Sequence, residues 1–237
     1  MNGRSSCFLA MALVLAMALP TRASTETVAI IGTGQVGSAL GQRFGELGYS
    51  VVYGSRAPDR EVVARLVALS GPAARATTQR AAVQGADIVI LAVPWNVVED
   101  VARRLGDLSG QIVVDPTNPR SIAGDGLRDY AFEGSNAERI QAIVPRALVV
   151  KAFSTLGADT MMDPSIRGGA VTIPLVGDDT GAKQTLASLI EAMGLEAVDV
   201  GPLRYARVIE GLHYLRTNAG QLGGRRINYH LPLEAPP

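Results

Sequence analysis

A short apolar run, Val28, Ala29, Ile30 and Ile31, leads straight into Gly32-Thr33-Gly34-Gln35-Val36-Gly37, and no other stretch constrains this chain as much. The spacing is that of a strand turning sharply into a helix around an anion. A pyrophosphate in such a turn must lie against bare backbone N–H groups, where unpaired donors and the helix dipole favour negative charge. Gly32 suits the tight turn, Gly34 the close approach of phosphate to backbone, and Gly37 the close packing of helix on strand. In a chain with 26 glycines the spacing alone is weak. The flanks supply the rest. Residues 38–47 carry Leu40, Phe44 and Leu47 at helical spacing, and residues 50–53 read as a second strand, as a βαβ unit requires.

The second strand runs into Gly54-Ser55-Arg56. A free ribose 2′-hydroxyl is usually met by an Asp or Glu at this place, and none is present. Ser55 and Arg56 offer a hydroxyl and a guanidinium instead, the donors a 2′-phosphate needs. An arginine here could also be a solvated loop residue; with the glycine turn upstream, the pair reads as NADP in preference to NAD.

The pattern continues with a helix over residues 59–69, a helical turn at 81–84, a buried strand at 87–93, a helix at 97–105 and a strand at 111–114. Residues 121–134 read as a loop, 136–143 as a helix and 147–150 as a strand. Residues 161–164 read as a turn or a loop lining the site. Strand, helix, strand and helix follow over 171–176, 182–193, 196–200 and 202–215. This alternation predicts an α/β chain: a Rossmann-type doubly wound parallel sheet with a small C-terminal α/β extension. Residues 24–153 would form the nucleotide-binding domain and 154–237 the smaller one. Ligands in such sheets bind beyond the carboxyl ends of the strands, which singles out residues 32–37, 92–95 and 117–119.

Lys plus Arg and Asp plus Glu both number 22, so no basic field points to nucleic acid or an anionic membrane. The N-terminus reads as a cleavable signal peptide over residues 1–23: Arg4, an apolar run from Cys7 to Leu19, then Pro20-Thr21-Arg22-Ala23. Its apolar run is short of the roughly 20 residues a span needs, so no stable membrane span is expected after processing. A periplasmic or secreted protein follows; an uncleaved anchor or a cytoplasmic chain are the alternatives. Cys7 is the only cysteine, so a processed chain would have neither disulfides nor thiolate chemistry. His213 and His230, the only histidines, stand at no predicted strand end, and nothing has metal-ligand spacing. Trp95 could wall a ring pocket or pack in the core.

Taken together, GTGQVG, YGSR, LAVPW, VDPTNP, VVKAFST and the late LVGDDTGAKQTLASLIEAMGLEAVDVGPLRYARVIE resemble the coenzyme F420-dependent NADP oxidoreductase family, which includes the NADPH-binding domain of membrane ferric reductases. The similarity runs from Val28 to about Gly211. It implies a dimer with a second redox cofactor, coenzyme F420 or a flavin, in a cleft between the two domains. By position, Thr33, Gln35 and Val36 would lie at the pyrophosphate and Ser55 and Arg56 at the 2′-phosphate. Ala92, Val93 and Pro94 would follow the nicotinamide half, with Asn118, Lys151 and Phe153 near the plane of hydride transfer. The family commonly has Asn where this chain has Ser154.

Hydride transfer between two flat rings needs stacking in a dry cleft and no catalytic triad. The leading expectation is therefore an NADPH-dependent oxidoreductase exchanging hydride with a deazaflavin or flavin. Two alternatives stay open. One is a dehydrogenase or reductase of a small organic substrate with Lys151 as acid or base; the other is an NADP-binding module without turnover.

Overall fold

The computed structural model describes residues 26–225 and 227–231. The expected signal peptide lies outside the described residues, as does the tail beyond Leu231. The chain opens with β1 (Thr27–Ile31), α1 (Gln35–Glu46), β2 (Ser50–Ser55), α2 (Glu61–Leu69), β3 (Arg75–Thr78), α3 (Gln79–Ala82) and β4 (Ile88–Ile90). A 3-10 turn, Trp95–Val97, leads into α4 (Val98–Leu105), followed by β5 (Ile112–Asp115), a hairpin of β6 (Ser121–Ile122) and β7 (Arg128–Asp129), and α5 (Asn136–Ile143). Then come β8 (Leu148–Lys151), α6 (Ala158–Met162), a 3-10 turn at Pro164–Arg167, β9 (Thr172–Gly177), α7 (Thr180–Ala192), β10 (Glu196–Asp199), a third 3-10 turn at Leu203–Tyr205 and α8 (Ala206–Gly223).

Among the described residues, eight strands make one sheet in the order β10-β9-β8-β5-β4-β1-β2-β3. Every neighbouring pair is parallel except β8 and β9, where Val150 faces Gly177 and Lys151 faces Val176 antiparallel. The inner strands β1, β4, β5, β8 and β9 are largely apolar without polar alternation because both faces are covered. Along β1, Val28 and Ile30 join Leu40, Phe44 and Leu186 on one face, while Ala29 and Ile31 join Val98, Leu105 and Ile209 on the other. Strand order reverses between β1 and β4, and the turns after these two strands lie side by side at the carboxyl edge.

The expected alternation is present, with local departures. β3 is an addition to it: Arg75, Ala76, Thr77 and Thr78 have no apolar run, which an edge strand does not need. The pairing of β4 stops at Ile90, short of the expected residue 93, because Ala92 N–H turns back to the Ile90 carbonyl at 3.1 Å. The loop at 121–134 holds the β6–β7 hairpin. Residues 161–164 divide between the end of α6 and the turn after it, with Met161 in the core. Residue 153 marks no break in the sheet, since β9 and β10 extend the same layer past β8. Among the described residues no helix is long and apolar enough to cross a membrane.

Candidate functional site

At the carboxyl edge, Gly32 turns the chain with φ of +118°, and its N–H donates to the Gly54 carbonyl at 3.1 Å. A Cβ there would press into the Ala92 carbonyl, so the turns after β1 and β4 can pack together only without a side chain. Gly37 plays the matching part inside α1, where a Cβ would strike the Gly32 carbonyl. Gly34 differs from both, because a Cβ built on it meets nothing within 4 Å. The first turn of α1 has no side-chain cap and no acidic residue. Its free N–H groups therefore face open space at the positive end of the helix dipole.

That space is one cleft of about 920 Å³. Gly32, Thr33, Gly34, Ser55, Arg56, Ala92, Val93 and Pro94, all named from the sequence, line it together. Arg60, Gln79, Asn96 and Arg104 line it as well, and sequence spacing did not find them because they come from three further segments. Ser55 is buried and its Oγ accepts from Ala57 N–H at 3.1 Å, while Arg56 is exposed. The uncapped helix, the open approach at Gly34 and the presence of Ser55 and Arg56 in the wall of the same cleft fit a phosphorylated dinucleotide. Gln35 faces a separate depression against α6, Val36 packs half-buried on the core, and Gly37 is buried.

A second cleft, about 490 Å³, shares Val93, Pro94 and Asn96 with the first. Asn118 opens onto it, with Trp95, Thr117, Arg120, Arg128 and His213. Asn118 Nδ2 donates to the Ser154 carbonyl at 2.8 Å, tying the segment after β5 to the segment after β8. Its Oδ1 is buried with no hydrogen-bond partner among the described residues, as are Ser154 Oγ and Thr155 Oγ1. Trp95 therefore faces a cleft and also stacks, tilted, on Phe132 with ring centres 6.4 Å apart. His213 lies on α8, half-buried at the cleft wall, a position that only the tertiary fold reveals.

Lys151 and Phe153, expected near a ligand plane, lie under the surface. Phe153 is 1% exposed and is the one non-glycine residue with positive φ among the described residues, at +62°. That left-handed turn swings the chain from β8 into Ser154. Lys151 is 0% exposed, and its ammonium spends all three donors, on Asp115 Oδ2 at 2.9 Å, Glu210 Oε1 at 2.8 Å and the Thr117 carbonyl. Burial pulls the ammonium's pKa down, but the two carboxylates outweigh it and raise it above the ordinary value. Glu210 is driven up by burial, pulled back by Lys151 and pushed again by Asp115, ending at about 7. Burial is the main cause, and the charge count adds to it, since one buried cation cannot compensate two buried anions.

The cluster carries on to the cleft surface. Thr117 donates its hydroxyl and its N–H to Asp115 Oδ1 at 2.6 and 2.9 Å, and accepts from Asn136 Nδ2 at 2.8 Å. Asn136 N–H in turn donates to Glu210 Oε1 at 3.1 Å. β5, β8, α5 and α8 thus converge on the segment that presents Thr117 and Asn118. Thr117 falls in the 117–119 stretch that the strand end singles out, whereas Asp115, Asn136 and Glu210 are not site candidates from the sequence, although the Asp115-Pro116 end of a buried strand is a visible signal.

The family model for NADP oxidoreductase, coenzyme F420-dependent, matches residues 27–119. Metalloreductase STEAP3 of Rattus norvegicus is 31% identical over 185 residues, 78% of this chain, and the chain spans only 36% of that protein's length. The F420-dependent NADP reductase of Methanothermobacter thermautotrophicus is 28% identical over 204 residues, 81% of this chain and 88% of the relative. A crystal structure of a putative F420-dependent NADP reductase from Arthrobacter sp. FB24 superimposes with a TM-score of 0.78 at 27% identity, covering 87% of this chain and 99% of that one. These likenesses identify the chain as an NADP-dependent oxidoreductase whose residues 27–119 match the coenzyme F420-dependent NADP oxidoreductase family.

Proposed function

We propose that this chain transfers hydride between NADPH and a flavin or deazaflavin ring. The observation that carries the reading is the junction of two clefts at Val93, Pro94 and Asn96, one with a dinucleotide turn at its far end and one without. In this reading the backbones of Thr33, Gln35 and Val36 bind the pyrophosphate. Ser55 and Arg56 take the 2′-phosphate. Ala92, Val93 and Pro94 run along the nicotinamide, and Asn118 lies at the face where the second ring stacks. Lys151 and Phe153 act from below, as positioning residues for the Thr117–Asn118 and Ser154 segments.

NADPH supplies the hydride, so the protein's own work is to orient two rings and exclude water. The apolar Ala92, Val93 and Pro94 edge suits that work, since it offers no group that could compete for the hydride or hold solvent at the junction. The assembly in this reading is a homodimer, for which Val208, Leu215 and Leu222, exposed and seven residues apart on α8, offer an apolar seam. Sedimentation of the purified chain tests that part. Sequencing the N-terminus of the chain recovered from the host envelope tests export and cleavage of the leader.

The central test mixes purified protein with NADPH or NADH and, in turn, FMN, FAD and coenzyme F420. Loss of nicotinamide absorbance with at least one ring acceptor is expected, and silence with all of them sinks the reading. Arg56→Glu is expected to weaken NADPH far more than NADH, as removal of a charge-assisted phosphate contact requires. Equal losses for both nucleotides remove Arg56 from the 2′-phosphate.

A further inference from the structure

The wall of the second cleft is unusual in its charge. Arg120 and Arg128 line it, and none of its lining residues is an Asp or Glu. Neither guanidinium makes an ion pair among the described residues, whereas Arg43, Arg103, Arg139, Arg146 and Arg167 each hold a carboxylate. Arg128 is half-buried, and burial together with the charge of Arg120 lowers its pKa. Two like charges brought together in a cleft with no compensating anion are costly unless a ligand brings the anion.

The one side chain hydrogen-bonded to the Arg128 guanidinium among the described residues does not neutralise it. Its Nη1 lies 3.3 Å from His213 Nε2. A guanidinium only donates, so Nε2 accepts and the ring proton sits on Nδ1. Burial first, then the charges of Arg128, Arg216 and Arg120, hold His213 down at about 4, so the ring is neutral under ordinary conditions.

The backbone that carries Arg128 is clamped. Arg128 N–H donates to Asn218 Oδ1 and its carbonyl accepts from Asn218 Nδ2, both at 2.9 Å. Tyr130 of the same hairpin stacks edge-on against Tyr214 at 4.9 Å, and the Tyr214 hydroxyl donates to the carbonyl of Pro119, next to Arg120. Helix α8 therefore pre-sets the position of both arginines, which is how a binding site lowers the ordering cost of recognition. Arg120 and the hairpin lie outside the residues 27–119 that the family model matches.

We infer that the second cleft recognises its acceptor by an anionic group, a phosphate or carboxylate carried by the ring's side chain and held between Arg120 and Arg128. The inference rests on the acceptor reading of this cleft and adds the class of molecule: a charged flavin or deazaflavin rather than the bare ring system. Arg128 supplies a fixed donor beside His213, and Arg120, exposed at the rim, supplies the second charge. The ring itself then lies toward Trp95, Pro94 and Asn118.

Two matched pairs of probes test this with the full-length chain saturated with NADP⁺, which permits binding without turnover: FMN against riboflavin, and coenzyme F420 against its chromophore lacking the phosphate side chain. Quenching of ring fluorescence reports binding. The charged member of at least one pair is expected to bind roughly tenfold or more tighter than its uncharged partner, the gain from one or two charge-assisted hydrogen bonds. Arg120→Gln together with Arg128→Gln is expected to erase that preference, leaving the uncharged partner and NADP⁺ unchanged, and Arg128→Lys to restore part of it. Unchanged NADP⁺ affinity also certifies the fold of each variant. Equal binding of charged and uncharged probes, equal losses on substitution, or no binding of any of the four overturns the inference. A phosphate preference without hydride transfer from NADPH leaves the anion site standing and removes the oxidoreductase reading of this cleft. Hydride transfer without the preference does the reverse.

Discussion

The glycine turn after β1 and the charge cluster at the ends of β5 and β8 solve the same problem, shaping the carboxyl edge of one sheet, by opposite means. At the turn the chain removes side chains, so that backbone meets backbone at Gly32 and backbone meets open space at Gly34. At the cluster it buries an ammonium and two carboxylates at 0% exposure and spends every donor of Lys151 on them and on Thr117. A turn built from absences is cheap to hold and sensitive to any added atom. A buried ion cluster is costly to assemble and sensitive to any removed atom, since breaking it strands the remaining charges. The difference teaches that the two clefts fail in different ways: the first through its ligand contacts, the second through the fold that presents it.

Lys151→Met is the sharpest way to break this contrast and carries the largest expected effect. It leaves Asp115 and Glu210 buried without their cation, which typically costs about 3–5 kcal/mol. Urea denaturation of the variant at neutral pH measures it. A loss below about 1 kcal/mol would mean that the carboxylates find water or protons easily, and that the cluster is not what holds Thr117 and Asn118.

Proton linkage sharpens the same contrast with a somewhat smaller effect. The folded state holds the Glu210 proton to about pH 7 against an ordinary value of 4.5, so it binds more protons than the unfolded chain in that window. Stability from this group is therefore present at the acid end and lost as pH rises from 4.5 to about 7. His213 works in the other direction. Its folded value near 4 against an ordinary 6.5 makes the unfolded chain the better proton binder, so stability rises with pH across 4 to 6.5. Each amounts to about 3 kcal/mol as an order of magnitude, and between 4.5 and 6.5 the two oppose. The wild-type stability profile is expected to be nearly flat there. Glu210→Gln should expose a rise with pH and His213→Asn a fall, both read from urea midpoints; parallel profiles in the two variants would refute the assignment.

How much of this was visible in the residues follows the same division. The turn is legible because everything it needs is local: an apolar strand, three glycines at fixed spacing and a helix, all within residues 28–47. Ser55 and Arg56 are legible because a parallel strand pair sets their distance from the turn. The cluster is not, because Asp115, Lys151 and Glu210 are 36 and 59 residues apart along the chain and meet only once β8 and α8 have docked. Nor does the pattern reveal that β9 runs antiparallel to β8, since a strand buried on both faces reads alike in either direction. Arg120 and Arg128 are illegible for a related reason: inside the stretch 121–134 that reads as loop, or just before it, an arginine looks solvated until the fold brings it to the wall of a cleft.

The finest test of the contrast lies inside the glycine turn. Gly32 and Gly34 are two residues apart and both belong to the motif, yet the structure gives them different work. Gly32→Ala must force a side chain onto φ of +118° and into the Ala92 carbonyl, so it should cost stability, about 2 kcal/mol or more, and NADPH binding with it. Gly34 has φ of −83° and ψ of −169°, a conformation open to any residue, with free space around its Cβ. Gly34→Ala should therefore change stability by no more than about 0.5 kcal/mol. Its methyl group would stand where a pyrophosphate approaches the start of α1, so NADPH affinity should fall by roughly tenfold while the fold is untouched. If both variants lose stability alike, the turn is a packing device throughout; if Gly34→Ala binds NADPH like the wild type, the pyrophosphate lies elsewhere in the cleft. Only loss of ligand without loss of fold at Gly34, beside loss of both at Gly32, separates the glycine that builds the turn from the glycine that leaves it open.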